Sequence, residues 1–430
     1  MSSGSVLRRF RAPFLCIALL PAGGLAVAQG DNVFFLQHAD TLEGRIINGE
    51  RARELIGNVL ITHERTRITC DRALQFVDRG KVILTGHVVV RDDSMILHAP
   101  RGTYDRIARR VEAFDDVRLD DGTVRVNSEY GEYLPDPRRA FFSGRVVVVD
   151  SASLITADTL WYYRITRRTL ATGHVRLHNA GDRVTVYGGR LDHDAPRAYS
   201  RVTIDPILVQ IDTSAGEKTD TLQVRALLLE AYRDTTRRFI ATDSVEIVRT
   251  DLAGRAGFAC FYTRGDSITL RRHPVIWYQE SQVTGDSINV RMRKRRLRQL
   301  VVMGNAFALS QSDSLRRERI DQLNGDRLTM YFEEAGLRRT DVEGRAISVY
   351  HLYDDSLANG LNRTSGDRIV MDFAEGRARS ITVHSGVEGS YYPENMVLHR
   401  EKEYAIPGTA WRADRPRRLP VAPFVPPAVR

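Results

Sequence analysis

Apolar and polar residues alternate along most of this chain, in runs such as Val59-x-Ile61, Val82-x-Leu84, Val88-x-Val90, Val124-x-Val126 and Val184-x-Val186. A period of two puts every second side chain on one face and predicts strands buried on one side. No series of apolar positions at i, i+3 and i+4 reaches helical length between them. Clusters of Asp, Asn, Gly and Pro at 78–80, 91–93, 120–122, 136–137 and 179–182 favour tight reversals. The pattern predicts an all-β chain of antiparallel strands joined by short turns.

The strands repeat. Gly57, Gly86, Asp115, Gly144 and Gly173 stand 29 residues apart. Two positions after each come Val59, Val88, Val117, Val146 and Val175, and four positions after come Ile61, Val90, Leu119, Val148 and Leu177. Ile68, Leu97, Val126 and Ile155 form a further column on the same step. A fixed period in this range marks stacked units rather than one globular core. Each unit reads as two long strands. The anchor residues fall in mid-strand, where a glycine marks a bulge or bend, and Cys70-Asp71 and Ala157-Asp158 mark a bend on the opposite leg. Two bends per pair of strands fold a meander into a trough with apolar columns facing inward. Beyond Asp71 the inward phase stays open, because Leu74 and Phe76 do not line up with Leu160 and Tyr162.

From Leu222 the pattern resumes with wider spacing. Gly285-Asp286, Gly325-Asp326 and Gly366-Asp367 recur at steps of 40 and 41 residues, followed by Gly304, Gly344 and Gly386. The polar stretch 212–221 is expected to be a linker between a first jellyroll-like half, 29–211, and a second, 222–411. Residues 412–430 are rich in Pro and Arg and are expected to be disordered.

The first 28 residues change the picture of where the chain works. Arg8, Arg9 and Arg11 precede an apolar run broken by Pro21, Gly23 and Gly24, and Ala26-Val27-Ala28 is a small-x-small cleavage site. This is the pattern of a secretory signal peptide, too short and interrupted for a membrane span. Its removal takes three arginines from a formal net charge of +9, leaving a mildly basic chain. Cys70 and Cys260 remain, too far apart along a meander to pair.

No catalytic or phosphate-binding motif appears: there is no Gly-x-Ser-x-Gly, no His-Glu-x-x-His and no Cys-x-x-Cys. No enzyme activity, metal or cofactor is expected. Asp192-His193-Asp194 has the residue types of metal ligands but precedes a turn at Ala195-Pro196. The hairpin 291–298 carries Arg291, Arg293, Lys294 and Arg295, candidates for contact with phosphate groups; the plainer reading is a solvated hairpin.

Ala39-Asp40, Gly57-Asn58-Val59, Ile68-Thr69-Cys70-Asp71 and Ile155-Thr156-Ala157-Asp158, repeated with Gly-x-Val, resemble the OstA/LptA family of lipopolysaccharide-transport proteins. The resemblance implies an open antiparallel β-jellyroll whose apolar groove shields acyl chains. It implies a periplasmic location, in association with the outer membrane. It also implies partners: lipopolysaccharide or a similar anionic glycolipid, other jellyroll components joined by edge-strand pairing, and an outer-membrane assembly partner. No nucleic acid is expected. The wall of the groove is then Val59, Ile61, Ile68, Val88, Val90, Leu97, Val117, Leu119, Val126, Val146, Val148, Ile155, Val175 and Leu177. The chain is longer than the single-domain bridge proteins and lacks the large barrel of the outer-membrane member. A structural or adhesive β-repeat protein would share the trough but fill it with its own side chains. A carbohydrate-active β-helix would need parallel coils and paired carboxylates on one rung, and Asp71 and Asp158 stand three units apart.

Overall fold

The computed structural model describes residues 34–151, 153–212, 220–262, 265–293, 296–311, 316–334, 336–354, 357–374 and 377–427. The expected signal peptide, residues 1–28, lies outside the described residues. Twenty-eight strands join in one antiparallel sheet, and the only helical segments among the described residues are the short turns Glu394–Val397 and Glu401–Glu403. The fold is an all-β antiparallel jellyroll.

Most strands are long and bent in the middle. Glu50–His63 pairs with Thr66–Phe76, but the register slips between Ile56 and Val59. The same slip recurs between Thr85 and Val88 and between Phe114 and Val117. At each slip two successive residues take positive φ: Gly57 and Asn58, Gly86 and His87, Asp115 and Asp116, Gly144 and Arg145, Gly173 and His174. Two left-handed residues in a row turn the strand sharply, and glycine adopts this region without the Cβ penalty. The second half uses the corner again at Asp243-Ser244, Gly304-Asn305, Gly344-Arg345 and Ser385-Gly386.

An acidic residue on the neighbouring leg brackets these corners. Asp71 bonds the ring of His87 at 2.8 Å, Asp158 that of His174 at 2.8 Å, and Glu129 accepts from Arg145 Nε at 2.5 Å. In the second half Asp286 accepts from Asn305 and Asp326 from Arg345. The bracket leaves no space for a side chain: a β-carbon on Gly86 would stand 2.8 Å from Asp71 Cγ. The recurrent Gly and Asp of the sequence are thus two halves of one corner.

Folding every strand at its corner makes two walls. The first wall holds the segments around 59–63, 66–70 and 88–92. The second holds those around 52–56, 72–76 and 81–85. Inward side chains of both merge into one apolar core running from Leu55 to Met371. The register settles the phase that the sequence left open. Ala73, Gly102, Gly131 and Leu160 share one column, and Gln75, Tyr104, Tyr133 and Tyr162 the next. Leu74 is therefore not an inward partner of Leu160, and the interior of the first half holds aromatics, with Tyr104, Tyr133, Tyr162 and Phe142 fully buried.

Two expectations of layout change. The stretch 212–221 does not separate two sheets: Ile207–Asp212 pairs directly with Asp220–Arg225, and Tyr199–Thr203 pairs with Leu228–Tyr232. Both walls pass the junction unbroken. Residues 412–427 form no strand or helix, but they are not loose: their backbone is hydrogen-bonded along the outer face of the first wall. Pro and Arg composition read as disorder because the partners are distant in sequence.

Candidate functional site

The fourteen residues expected to line a groove all lie on the inner face of the first wall and all are buried in the shared core. Val88, Val117 and Val146 pack in successive units, as do Val90, Leu119 and Val148. Facing them across the interior stand second-wall columns that alternation alone does not reveal. Val82, Val111 and Ala140 form one, and Leu84, Ala113, Phe142 and Ala171 the other. The 29-residue step is the signal that would find them, but their mix of large and small residues hides the column.

In the first half the free tips of the two walls are drawn together. The Tyr104 hydroxyl meets His63 Nδ1, the Tyr133 hydroxyl donates to Asp92, and the Tyr162 hydroxyl donates to Asp121 at 2.5 Å. His63, Asp92 and Asp121 repeat at the same 29-residue step as the tyrosines. Around them Arg65 pairs with the fully buried Asp92 at 2.9 Å, Arg164 donates to the Tyr133 hydroxyl at 2.9 Å, and Arg138 pairs with Asp93 at 2.5 Å. Arg109 joins Glu64 to Asp136. Burial pushes the three phenols above their ordinary pKa and His63 below its own, so each is neutral at neutral pH. Asp121 is also desolvated, yet the hydrogen bonds from Tyr162 and from the Thr123 and Val124 amides hold its carboxyl below the ordinary range. Hydroxyl, carboxylate and guanidinium together form a polar seam that shuts the trough over the first half.

The second half has a mouth. A narrow cleft of about 80 Å³ lies between the walls next to the junction. Leu222, Ile247, Leu252 and Ile276 line it from the first wall, and Ile268, Leu270, Val290, Met292 and Leu297 from the second. Arg249 and Asp251 stand at its rim, and an Arg249 amino group lies 3.8 Å from Met292 Sδ. Further along, Tyr278 and Phe332 meet edge to face with ring centroids 5.1 Å apart. That closure is apolar, unlike the ionic seam of the first half.

The basic hairpin borders this mouth. Met292 and Leu297 line the cleft, while Arg291 points to the outer face, where it donates to Gln299 at 3.2 Å. There it shares a shallow polar recess with Ser267, Thr269, Asn289 and Arg327. Arg293 ends its strand; Lys294 and Arg295 lie outside the described residues. Asp192 is held by Arg168 at 2.8 Å and His193 by Ser200 at 2.9 Å, and no cluster of metal-ligating side chains is found among the described residues. Cys70 and Cys260 are free and buried, and burial pushes the Cys70 thiol up to about 11.

Bent antiparallel strands folded into two walls around an aliphatic interior, with a lateral cleft in the second half, define a β-jellyroll. Residues 80–158 match the family model described as OstA-like protein. Over that stretch the chain is similar to OstA-like proteins. Among solved structures, one similar chain is LptH of Pseudomonas aeruginosa, described as the LptA homologous periplasmic component of the conserved lipopolysaccharide transport device. The match has 13% identity and a TM-score of 0.27, covering 33% of this chain and 95% of that one. No curated protein matches the chain.

Proposed function

We propose that this protein carries an amphipathic lipid of the lipopolysaccharide class, with its acyl chains held between the two walls. The observation that carries the reading is the aliphatic mouth at 247–297, which opens on an interior lined by apolar side chains of both walls. Each methylene moved from water into such an interior is worth about 0.8 kcal/mol, enough to hold a multi-chain lipid without covalent chemistry. The OstA-like segment supports the same reading. The lipid's phosphates would stay at the rim near Arg249, with Arg293 at the strand end and Arg291 on the outer face of the hairpin as candidates for contact beyond it. Lys294 and Arg295 remain candidates for the same contact. The compartment is the periplasm, reached through the signal at 1–28. Partners would join at the ends of the sheet, where among the described residues Thr41–Ile47 and Arg377–His384 each pair on one side only and can accept a further strand. One such partner would belong to outer-membrane assembly.

The sealed first half favours a second reading for that part alone. Its interior is filled by its own tyrosines, as a structural β-repeat would be. Photo-crosslinking separates the two. With a photoreactive residue at Ile276 or Val290, lipopolysaccharide is expected to give strong adducts. Positions Val88, Val117 and Val146 report whether lipid passes the seam, and outward Ile107 and Arg167 serve as controls. Adducts at none of the inward sites would hand the whole chain to the structural reading.

A further inference from the structure

Near its C-terminus the chain turns back and crosses the sheet from outside. After the short helical segment at 394–403, Ile406 and Val397 pack with Val349 and Leu361 on the outer face of the first wall. Arg319, fully buried, pairs there with Glu394. From Ile406 the chain runs toward the first half, making contacts at intervals. The Ile406 amide donates to Gln322 Oε1 at 2.8 Å. The Arg412 amide donates to Gln282 Oε1 at 2.7 Å, and Gln282 Nε2 donates to Ala410 O at 3.0 Å. Trp277 Nε1 donates to Arg412 O at 3.3 Å, and Arg255 pairs with Asp414 at 3.4 Å. The Leu419 amide and carbonyl both bond Gln223, at 2.8 and 3.1 Å. The run ends beyond the junction, where Tyr187 donates to Ala422 O and His178 stacks on Phe424.

The direction of the run explains the chemistry. A chain crossing strands at right angles cannot join their ladders, so wall side chains supply the bonds to its backbone, while its own Arg415 and Arg418 reach the Gln279 and Thr221 carbonyls at 3.0 and 2.6 Å. Glutamine supplies an acceptor and a donor from one amide, so it can satisfy both an N–H and a C=O of the crossing chain. A turn at Pro407-Gly408, closed by the Thr409 amide on Ile406 O at 3.3 Å, leads into the crossing segment, where Pro416, Pro420 and Pro423 favour an extended backbone and need no donor partner. An extended run from Thr409 to Phe424 spans roughly 47 Å at ~3.1 Å per residue. The strands between Gln322 and His178 span roughly 45 Å at ~4.8 Å each. The lengths agree.

The wall under this run is the one that lines the cleft. Leu222 faces the cleft and its neighbour Gln223 faces the tail. Ile276 faces the cleft, while Val275 and Trp277 on either side face outward and are buried with Ala253 in a small cluster of their own. Gly254 faces the cleft and Arg255 the tail.

We infer that the outer face of the first wall, from Gln322 across Gln282 and Gln223 to His178, is a docking track for an extended proline-rich segment. Its occupant is this chain's own residues 406–424, which act as a strap holding the cleft wall and bridging the junction. The inference stands on the geometry of the tail alone and not on what the cleft holds.

Two measurements on the mature full-length chain test it. Trypsin is expected to spare Arg417 and Arg418 in the native protein and to cut them at least tenfold faster in the Gln223→Ala/Gln282→Ala double variant. In a chain ending at Thr409, amide exchange in Asp220–Arg225, Leu252–Tyr262 and Val275–Tyr278 is expected to rise at least tenfold. Exchange in Lys81–Asp92 should stay unchanged, and a synthetic peptide of residues 406–424 should restore the protection. Cleavage of the native tail as fast as the free peptide would overturn the proposal, as would unchanged exchange after truncation. Should the shortened chain fail to fold, the double variant decides: cleavage no faster than in the native protein overturns the glutamine track.

Discussion

At the scale of single residues, the corner explains why the repeat shows a glycine next to an acid one leg away. Gly86 has φ of +75° and stands against Asp71. A side chain there is penalised twice. Left-handed backbone costs an L-residue roughly 1–2 kcal/mol, and the β-carbon must displace the Asp71 carboxylate. Gly86→Ala is therefore expected to lower unfolding free energy by more than the backbone cost alone. Gly44→Ala, with no atom within 4 Å of the added carbon, should change it by less than about 0.5 kcal/mol. Adding Asp71→Ala to Gly86→Ala should recover the steric part but not the backbone part. The exposed Asp71–His87 pair is itself worth roughly 0–1 kcal/mol. Urea unfolding of the native chain and its variants measures this, and a strictly additive cycle would show that carboxylate and glycine do not share the corner.

At the scale of elements, the seam joins two strand tips through groups that titrate, and their shifts fix the sign of its pH response. Burial lowers His63 from an ordinary 6.5. Asp121 is lowered from 3.8, because the hydrogen bonds it receives outweigh its burial. In both cases the unfolded chain binds the proton more readily than the folded one. Stability is then fully present above the ordinary pKa and is lost as pH falls through the folded value. Melting temperature should hold between about pH 8 and 7, fall as pH drops below about 6.5, and fall again below about 4. Tyr162→Phe removes the donor that lowers Asp121. It should cost roughly 1.5–3 kcal/mol at neutral pH and flatten the lower limb of the profile. A melting temperature unchanged between about pH 7.5 and 5 would mean that the seam does not hold the walls.

The same elements show what could be read beforehand. The first-wall columns were legible because every member is Val, Ile or Leu, so alternation and period reinforce each other. The second-wall columns run Ala73, Gly102, Gly131, Leu160 and Gln75, Tyr104, Tyr133, Tyr162. Hydropathy scores glycine and tyrosine as indifferent, so the pattern dissolves although the spacing persists. The tyrosines are inward because a hydroxyl at the tip of one wall finds an acceptor at the tip of the other, a fact of folded geometry. The strap left less trace still, since Gln223 and Leu419 are 196 residues apart and a glutamine on an outward strand position looks like ordinary surface.

At the scale of the whole molecule, the decisive feature is that the strands before and after the junction pair in both walls, Ile207–Asp212 with Asp220–Arg225 and Tyr199–Thr203 with Leu228–Tyr232. Two jellyrolls on a linker would swivel; one sheet paired throughout, with a strap over the junction, cannot do so without breaking ladder hydrogen bonds. Nearly every long strand contributes a segment to each wall, and at ~4.8 Å per strand the trough is on the order of 100 Å long. Small-angle scattering of the mature chain at low concentration should give a rod with a maximum dimension on that order. A broad distribution of shorter dimensions would indicate a hinge. The ends give the second part of the same test. Leu42 and Ile46 are exposed on Thr41–Ile47, whose outer side is unpaired among the described residues. An apolar edge of that kind templates addition of another strand, so raising the concentration should lengthen the rod in steps of one molecule. Leu42→Lys with Ile46→Lys places charge on the edge and should abolish the lengthening while leaving the single rod intact. Growth that survives the two lysines would place the contact somewhere other than this edge.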